Sequence, residues 1–183
     1  SLVIDNAVWD DAVREVYRPQ LDTQWLYNTW GAGFKVNNLY DGTFVLDENF
    51  NVVWGSFRSN PFYERSLDFF GNGLQALIRN NASGLTARNE IFAGITHTRE
   101  GVAFIGISII RPMIGELQGV GTMRRYLVIT RHLNKQILSD LGDTFQISDL
   151  TRTAQKPDLS SVPLESSAGE VLGWLNWNPR LPG

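Results

Sequence analysis

Apolar residues recur at helical spacing over the first seventeen positions. Leu2, Trp9, Val13 and Val16 fall with Asp5 near one stripe, and Ile4, Val8 and Ala12 lie beside it. That period predicts an amphipathic helix over 2–17, which Pro19 ends by withholding an amide proton. A shorter helix follows, with Asp22 as its N-cap and Gly31 and Gly33 as its stop, carrying Trp25, Asn28 and Trp30. From residue 42 the pattern changes. Runs 42–47 and 52–55 are β-rich, and the polar stretch 48–51 between them predicts a hairpin. Helical spacing returns over 62–80 through Phe62, Leu67, Phe70, Leu74, Leu77 and Ile78, with Gly71 and Gly73 placed to split it. Strands at 91–98 and 102–111 meet at Arg99-Glu100-Gly101, a second hairpin signature. A glycine-rich loop from Gly115 to Gly121 leads to a strand at 124–129. Thr130 or Arg131 then opens a helix holding Leu133, Ile137, Leu138 and Leu141, with Gly142 as its C′ residue. A short strand near 145–149, a polar loop over 151–168 and a final strand at 170–177 complete the pattern.

This order of elements predicts an α+β fold, a mainly antiparallel sheet with helices packed on it, rather than parallel winding. The 183 residues suit a single domain, 1–183, with a sizeable core. Charge then narrows the partners. A formal net charge of −3 without clustered Lys/Arg leaves no nucleic-acid footprint. There is no cysteine, so disulfide and thiolate–metal chemistry are excluded. No apolar run approaches the roughly 20 residues of a spanning helix. The chain begins at Ser1 inside a predicted helix and closes on Asn178-Pro179-Arg180-Leu181-Pro182-Gly183, which reads as a segment excised from a larger protein.

Catalytic machinery finds no support. The only histidines, His97 and His132, sit on separate elements, with no metalloprotease or nucleophile-elbow spacing. Asp47-Glu48-Asn49-Phe50-Asn51 begins like a calcium loop but lacks the glycine and the bidentate glutamate that such a loop needs. Gly119-Val120-Gly121 lacks the third glycine of a dinucleotide site. No metal and no cofactor are therefore expected.

Ligand binding is better supplied. Trp9 and Asp10 stand on the first helix, but successive helical positions diverge by about 100°. Trp9, Asp10 and Asp11 therefore cannot all face one pocket, and Trp9 is either core or ligand wall. Trp25 and Asn28, three apart, share a helix face with Trp30 nearby. That ring and amide either meet one ligand or anchor the helix on the sheet. Tyr40, Phe44 and Trp54 flank or occupy the first hairpin. Strand alternation puts Phe44 and Leu46 on one face and Val45 and Asp47 on the other. Arg111 and Arg131, which both follow predicted strands, could clamp a carboxylate bidentately or pair with surface acids.

Five motifs in this order resemble the CHASE extracytoplasmic sensor domains, specifically their fourth subtype. They are Trp9-Asp10-Asp11-Ala12; Trp25 with Asn28; Phe44-Val45-Leu46-Asp47 through Val52-Val53; Ile109-Ile110-Arg111-Pro112 with Arg125-Tyr126-Leu127; and Leu175-Asn176-Trp177-Asn178-Pro179-Arg180-Leu181-Pro182-Gly183. Two departures stand out: Phe50 where a turn glycine is usual, and Ala7-Val8 where a second tryptophan is common. The resemblance implies a PAS/Cache-like sheet behind a long N-terminal helix, held in the periplasm between two membrane helices. It implies a small-molecule ligand, a homodimer through the N-terminal helix, and chain ends that lie close together. The implied output is a cytoplasmic GGDEF-type diguanylate cyclase, with or without an EAL-type phosphodiesterase. The competing expectation is a ligand-free dimerisation or protein-interaction module of a membrane sensor histidine kinase or cyclase.

Overall fold

In the computed structural model, residues 2–33, 35, 38–80, 91–115, 123–157, 160–166 and 168–179 are described. The first departure from the sequence pattern comes at once. Instead of one helix over 2–17 there are two short ones, α1 (Leu2–Ala7) and α2 (Asp10–Val16). The break has a cause: Val8 forms a parallel bridge with Arg111, and Trp9 is fully extended (φ −164°, ψ 153°). The apolar stripe is real, but pairing with a strand end overrides the helical period at its middle. Next, α3 (Thr23–Leu26) starts where Asp22 accepts a hydrogen bond from the Trp25 amide at 2.9 Å, as an N-cap should. It runs on as a π-helical turn, Tyr27–Gly31.

The central sheet has six strands, all paired antiparallel, in the order β3-β2-β1-β6-β5-β4. These are β1 (Gly42–Leu46), β2 (Val52–Phe57), β3 (Asn60–Pro61), β4 (Ile91–Thr98), β5 (Gly101–Ile109) and β6 (Tyr126–His132). Both hairpins fall where expected. The helical pattern of 62–80 is split into α4 (Ser66–Phe70) and α5 (Gly73–Asn80), with Gly71 at φ 56° between them. The expected glycine-rich loop lies mostly outside the described residues.

β6 outruns its expected end. Thr130, Arg131 and His132 belong to the strand, and Arg131 is paired with Phe104 inside the sheet. The helix α6 (Lys135–Phe145) opens only at Asn134, whose side chain accepts from the Ile137 amide at 2.9 Å. Gly142 sits within that helix and not after it, at a position where a Cβ would come within 2.8 Å of the Ile147 carbonyl oxygen. The left-handed capping role falls to Gln146 (φ 55°). No strand forms at 145–149. Instead a second, three-stranded antiparallel sheet is built from β7 (Thr151–Thr153), β8 (Ser161–Glu165) and β9 (Val171–Asn176), in the order β7-β9-β8. Two of its strands occupy the stretch whose polarity suggests a loop.

The central sheet is covered on both faces. On one, Phe44 and Leu46 pack with Phe62, Phe69, Phe70, Leu74, Leu77 and Ile78 from α4, α5 and the chain before them. On the other, Val45, Leu127 and Ile129 pack with Val3, Ala7, Ala12, Val16, Leu26 and Trp30 from the N-terminal helices. The alternation expected for β1 holds.

Candidate functional site

The N-terminal face gathers most of the tryptophans. Trp9 lies over Trp25 at 5.6 Å between ring centroids, Trp25 meets Trp30 edge-on at 5.6 Å, and Trp30 approaches Trp54 at 6.4 Å. Trp9, Trp25 and Trp54 are half-buried, while Trp30 is wholly buried. Tyr40 joins the row by donating its hydroxyl to the Trp30 carbonyl at 2.9 Å. Trp9 donates its indole N–H to the Asn6 carbonyl at 3.0 Å. The Trp30 indole N–H, by contrast, has no acceptor among the described residues. A buried donor without a partner costs about 1–3 kcal/mol, and native interiors contain few.

The remaining expected ligand contacts are dispersed. Asp10 is exposed and accepts from the Met113 amide at 3.3 Å. Asn28 is exposed and its side-chain oxygen accepts from Gln24 at 3.0 Å. Phe44 is on the opposite face of the sheet, inside the phenylalanine cluster. The Arg111 amide donates to the Ala7 carbonyl at 3.2 Å, fixing the break between α1 and α2. Arg131 lines a shallow cleft of about 230 Å³ with Leu2, Leu39 and Phe104. The structure thus groups Trp9, Trp25, Trp30, Tyr40 and Trp54, puts Phe44 on the opposite face and Arg131 on another cleft, and leaves Asp10 and Asn28 exposed beside their neighbours Trp9 and Trp25.

A latch ties the N-terminal helices to the ends of β5 and β6. The Tyr17 hydroxyl donates to the Ile110 carbonyl at 3.0 Å and accepts from the Arg125 amide at 3.0 Å. Burial pushes the Tyr17 hydroxyl up to about 12, against the smaller opposing pull of the Arg125 amide and the nearby guanidinium charges. It is therefore a neutral donor at any physiological pH. With the Val8–Arg111 bridge, this latch means that α1 and α2 cannot shift without disturbing the same strand ends.

Sequence reasoning missed a buried polar chain on the phenylalanine side. The Asp41 carboxylate accepts from the His132 amide at 2.9 Å, meets the His132 imidazole Nδ1 at 2.9 Å and takes the Thr130 hydroxyl at 3.2 Å. His132 Nε2 lies 2.6 Å from the Thr98 hydroxyl. This is the connectivity of a carboxylate–imidazole–hydroxyl relay. Thr98, however, is 1% exposed, and its hydroxyl is already bonded to the Gly101 carbonyl and the Glu100 amide, so it is not presented as a free nucleophile. Its role is to tie β1, β6 and the β4–β5 turn together. Asp41 and Gly42 at a strand start were the available signal, but the pairing needed the correct end of β6.

The calcium-like run is also accounted for. Asp47 accepts from the Asn49 and Asn51 amides at 2.9 and 2.8 Å, so its carboxylate organises the turn itself. Phe50 takes φ 65°, the conformation that a glycine there would adopt freely. Among the described residues, no group of three His, Asp or Glu side chains could hold a metal ion.

Two larger clefts lie at the junction with the second sheet. One, of about 490 Å³, is bounded by the α4–α5 turn, the end of β4 and the β8–β9 turn. The other, of about 840 Å³, lies between α6 and the segment leading into β7. Neither is lined by a tryptophan of the row. In comparisons with known proteins, a family model described as the CHASE4 domain matches residues 1–151. The match ends at the first residue of β7, so most of the second sheet lies past it. No curated protein matches the chain.

Proposed function

Because the chain belongs to the CHASE4 family of extracytoplasmic sensor domains, we propose that it is the periplasmic sensing part of an inner-membrane receptor. In this reading it binds a small molecule and relays occupancy to a cytoplasmic diguanylate cyclase or cyclic-di-GMP phosphodiesterase. The strand order β2-β1-β6-β5-β4, with helices inserted between the first hairpin and β4, supports a PAS-like assignment of the sheet. The observation that carries the sensing is the unpaired Trp30 indole N–H inside a row of rings whose outer members are half-exposed.

A ligand presenting a carbonyl or carboxylate oxygen would enter past Trp9 and Trp25, complete that donor and separate the rings. The latch then supplies a route outward. Rings that move also move α2 and α3, and Tyr17 and Val8 pass the displacement to the ends of β5 and β6. Such a relay works only to the extent that the ligand binds the two arrangements with different free energy. The test is a thermal-shift screen of the chain against amino acids, organic acids, amines and short fatty acids. At 100 times Kd a ligand adds about 2.7 kcal/mol of stability. Trp25→Ala should remove the response to an acidic hit while leaving a folded domain; an unaltered response would mean that the row is not where the ligand binds.

A second reading rests on the surface beside α1, where Leu2, Leu39 and Phe104 are all more than a third exposed. In that reading the domain pairs with a second copy through its N-terminal helices without any ligand. Sedimentation of the chain against Phe104→Glu separates the two readings, since only pairing through this face loses its dimer.

A further inference from the structure

The 490 Å³ cleft has an unusual balance of charge. Its floor is apolar, formed by Phe69, Phe70, Leu77, Ile95 and Leu172. Its size falls within the range of small-molecule pockets. Two charged groups at the rim are already neutralised. Asp68 accepts from Nε and Nη2 of the Arg65 guanidinium, at 2.8 and 3.0 Å, and Arg99 is paired with Glu64. Glu170 differs. Its backbone is fixed in the β8–β9 turn, where its amide donates to the Ser166 hydroxyl at 3.2 Å and its carbonyl accepts from the Ser166 amide at 2.8 Å. Its carboxylate has no hydrogen-bond or ion-pair partner among the described residues. An apolar floor beside an exposed carboxylate that no cation of the described residues neutralises is the complement of an ammonium group on an apolar body.

We propose that this cleft binds a small primary amine with an aryl or short alkyl body, its ammonium group on Glu170 and its body on the apolar floor. This site lies away from the tryptophan row and selects the opposite charge, so it stands whether or not the row takes a ligand. The amine would bridge the α4–α5 turn and the β8–β9 turn, bracing the second sheet against the first. Occupancy would therefore be felt in β9, the last strand among the described residues.

The experiment is calorimetric titration of the chain with three probes of similar body: 2-phenylethylamine, 2-phenylethanol and 3-phenylpropionate. The amine is expected to bind most tightly, the alcohol about fivefold more weakly, as a partly solvated ion pair allows, and the carboxylate weaker still. Glu170→Gln, an exposed change that leaves the turn hydrogen bonds in place, should erase the amine's advantage over the alcohol. Trp25→Ala should leave amine binding unchanged. Hydrogen exchange should slow at residues 168–172 when the amine is present. No heat of binding from the amine, equal affinity for amine and alcohol, or a Glu170→Gln chain that binds the amine like the parent would each overturn the proposal. Loss of amine binding in Trp25→Ala would also overturn it, by moving the amine to the row.

Discussion

One face of the central sheet is packed with phenylalanine and the other with tryptophan, and the consequence lies in a single polar atom per ring. On the phenylalanine side, Phe44, Phe62, Phe69 and Phe70 meet edge to face at 4.9 to 5.1 Å, and no ring carries a donor that needs a partner. Beneath them the Asp41–His132–Thr98 chain is internally satisfied. On the tryptophan side every ring carries an N–H, and the one at Trp30 is buried with no acceptor among the described residues. The first face is a finished core. The second is a packed surface with a buried donor left unsatisfied among the described residues, which is the feature that the proposed ligand would complete.

The contrast can be broken most forcefully at Phe69. Phe69→Ala should cost about 3–5 kcal/mol in urea unfolding, the range for emptying a buried phenylalanine site. Trp25→Ala should cost clearly less, because its ring is already half-exposed. Equal losses would remove the asymmetry. Asp41→Asn should come next, at about 2–3 kcal/mol, because the acceptor of three hydrogen bonds is weakened where water cannot replace it. The same unfolding curves measure it.

Tyr17→Phe sharpens the comparison on the other side. Deleting the hydroxyl leaves the Ile110 carbonyl and the Arg125 amide without their shared partner, a loss of about 1–2 kcal/mol. It also carries a pH signature. The fold raises Tyr17 from 10.0 to about 12, so the folded state favours the neutral form. That contribution is complete below pH 10 and is lost as pH rises through about 12. The parent should therefore lose stability over that window more steeply than Tyr17→Phe, with tyrosinate absorbance marking the step. The smallest effect belongs to Phe50→Gly. Relief of the left-handed backbone at φ 65° and loss of the ring contact with Tyr126 at 5.6 Å should nearly cancel, leaving a change within about 1 kcal/mol.

Where side-chain period decides structure, the sequence was readable. The first hairpin, the alternation of Phe44 and Val45, the Asp22 cap and the split at Gly71 all follow from local chemistry. Where a distant partner decides, it was not. Nothing between Leu2 and Tyr17 announces that Val8 will leave its helix to pair with Arg111, a hundred residues away in the chain. The end of β6 was misjudged because Thr130 and Arg131 look like a helix start, whereas Asp41, just before β1, holds Thr130 and His132 in the sheet. The second sheet escaped because β8 is a polar edge strand containing Pro163, which tolerates the missing donor only at an edge. Similarly, the tryptophans could be grouped from sequence, but the unpaired N–H of Trp30 and the free carboxylate of Glu170 are properties of assembled neighbours.

Native-state hydrogen exchange bears most directly on the central contrast. The amides of Arg111 and Arg125 report the latch, while those of Arg99, bonded to the Phe69 carbonyl, and Phe62, bonded to the Gly55 carbonyl, report the finished core. The account predicts that the first pair exchanges through a partial opening below the free energy of global unfolding, whereas the second pair exchanges only when the whole domain unfolds. Exchange of all four amides by global unfolding alone would leave the tryptophan face as closed as the other, and would contradict it.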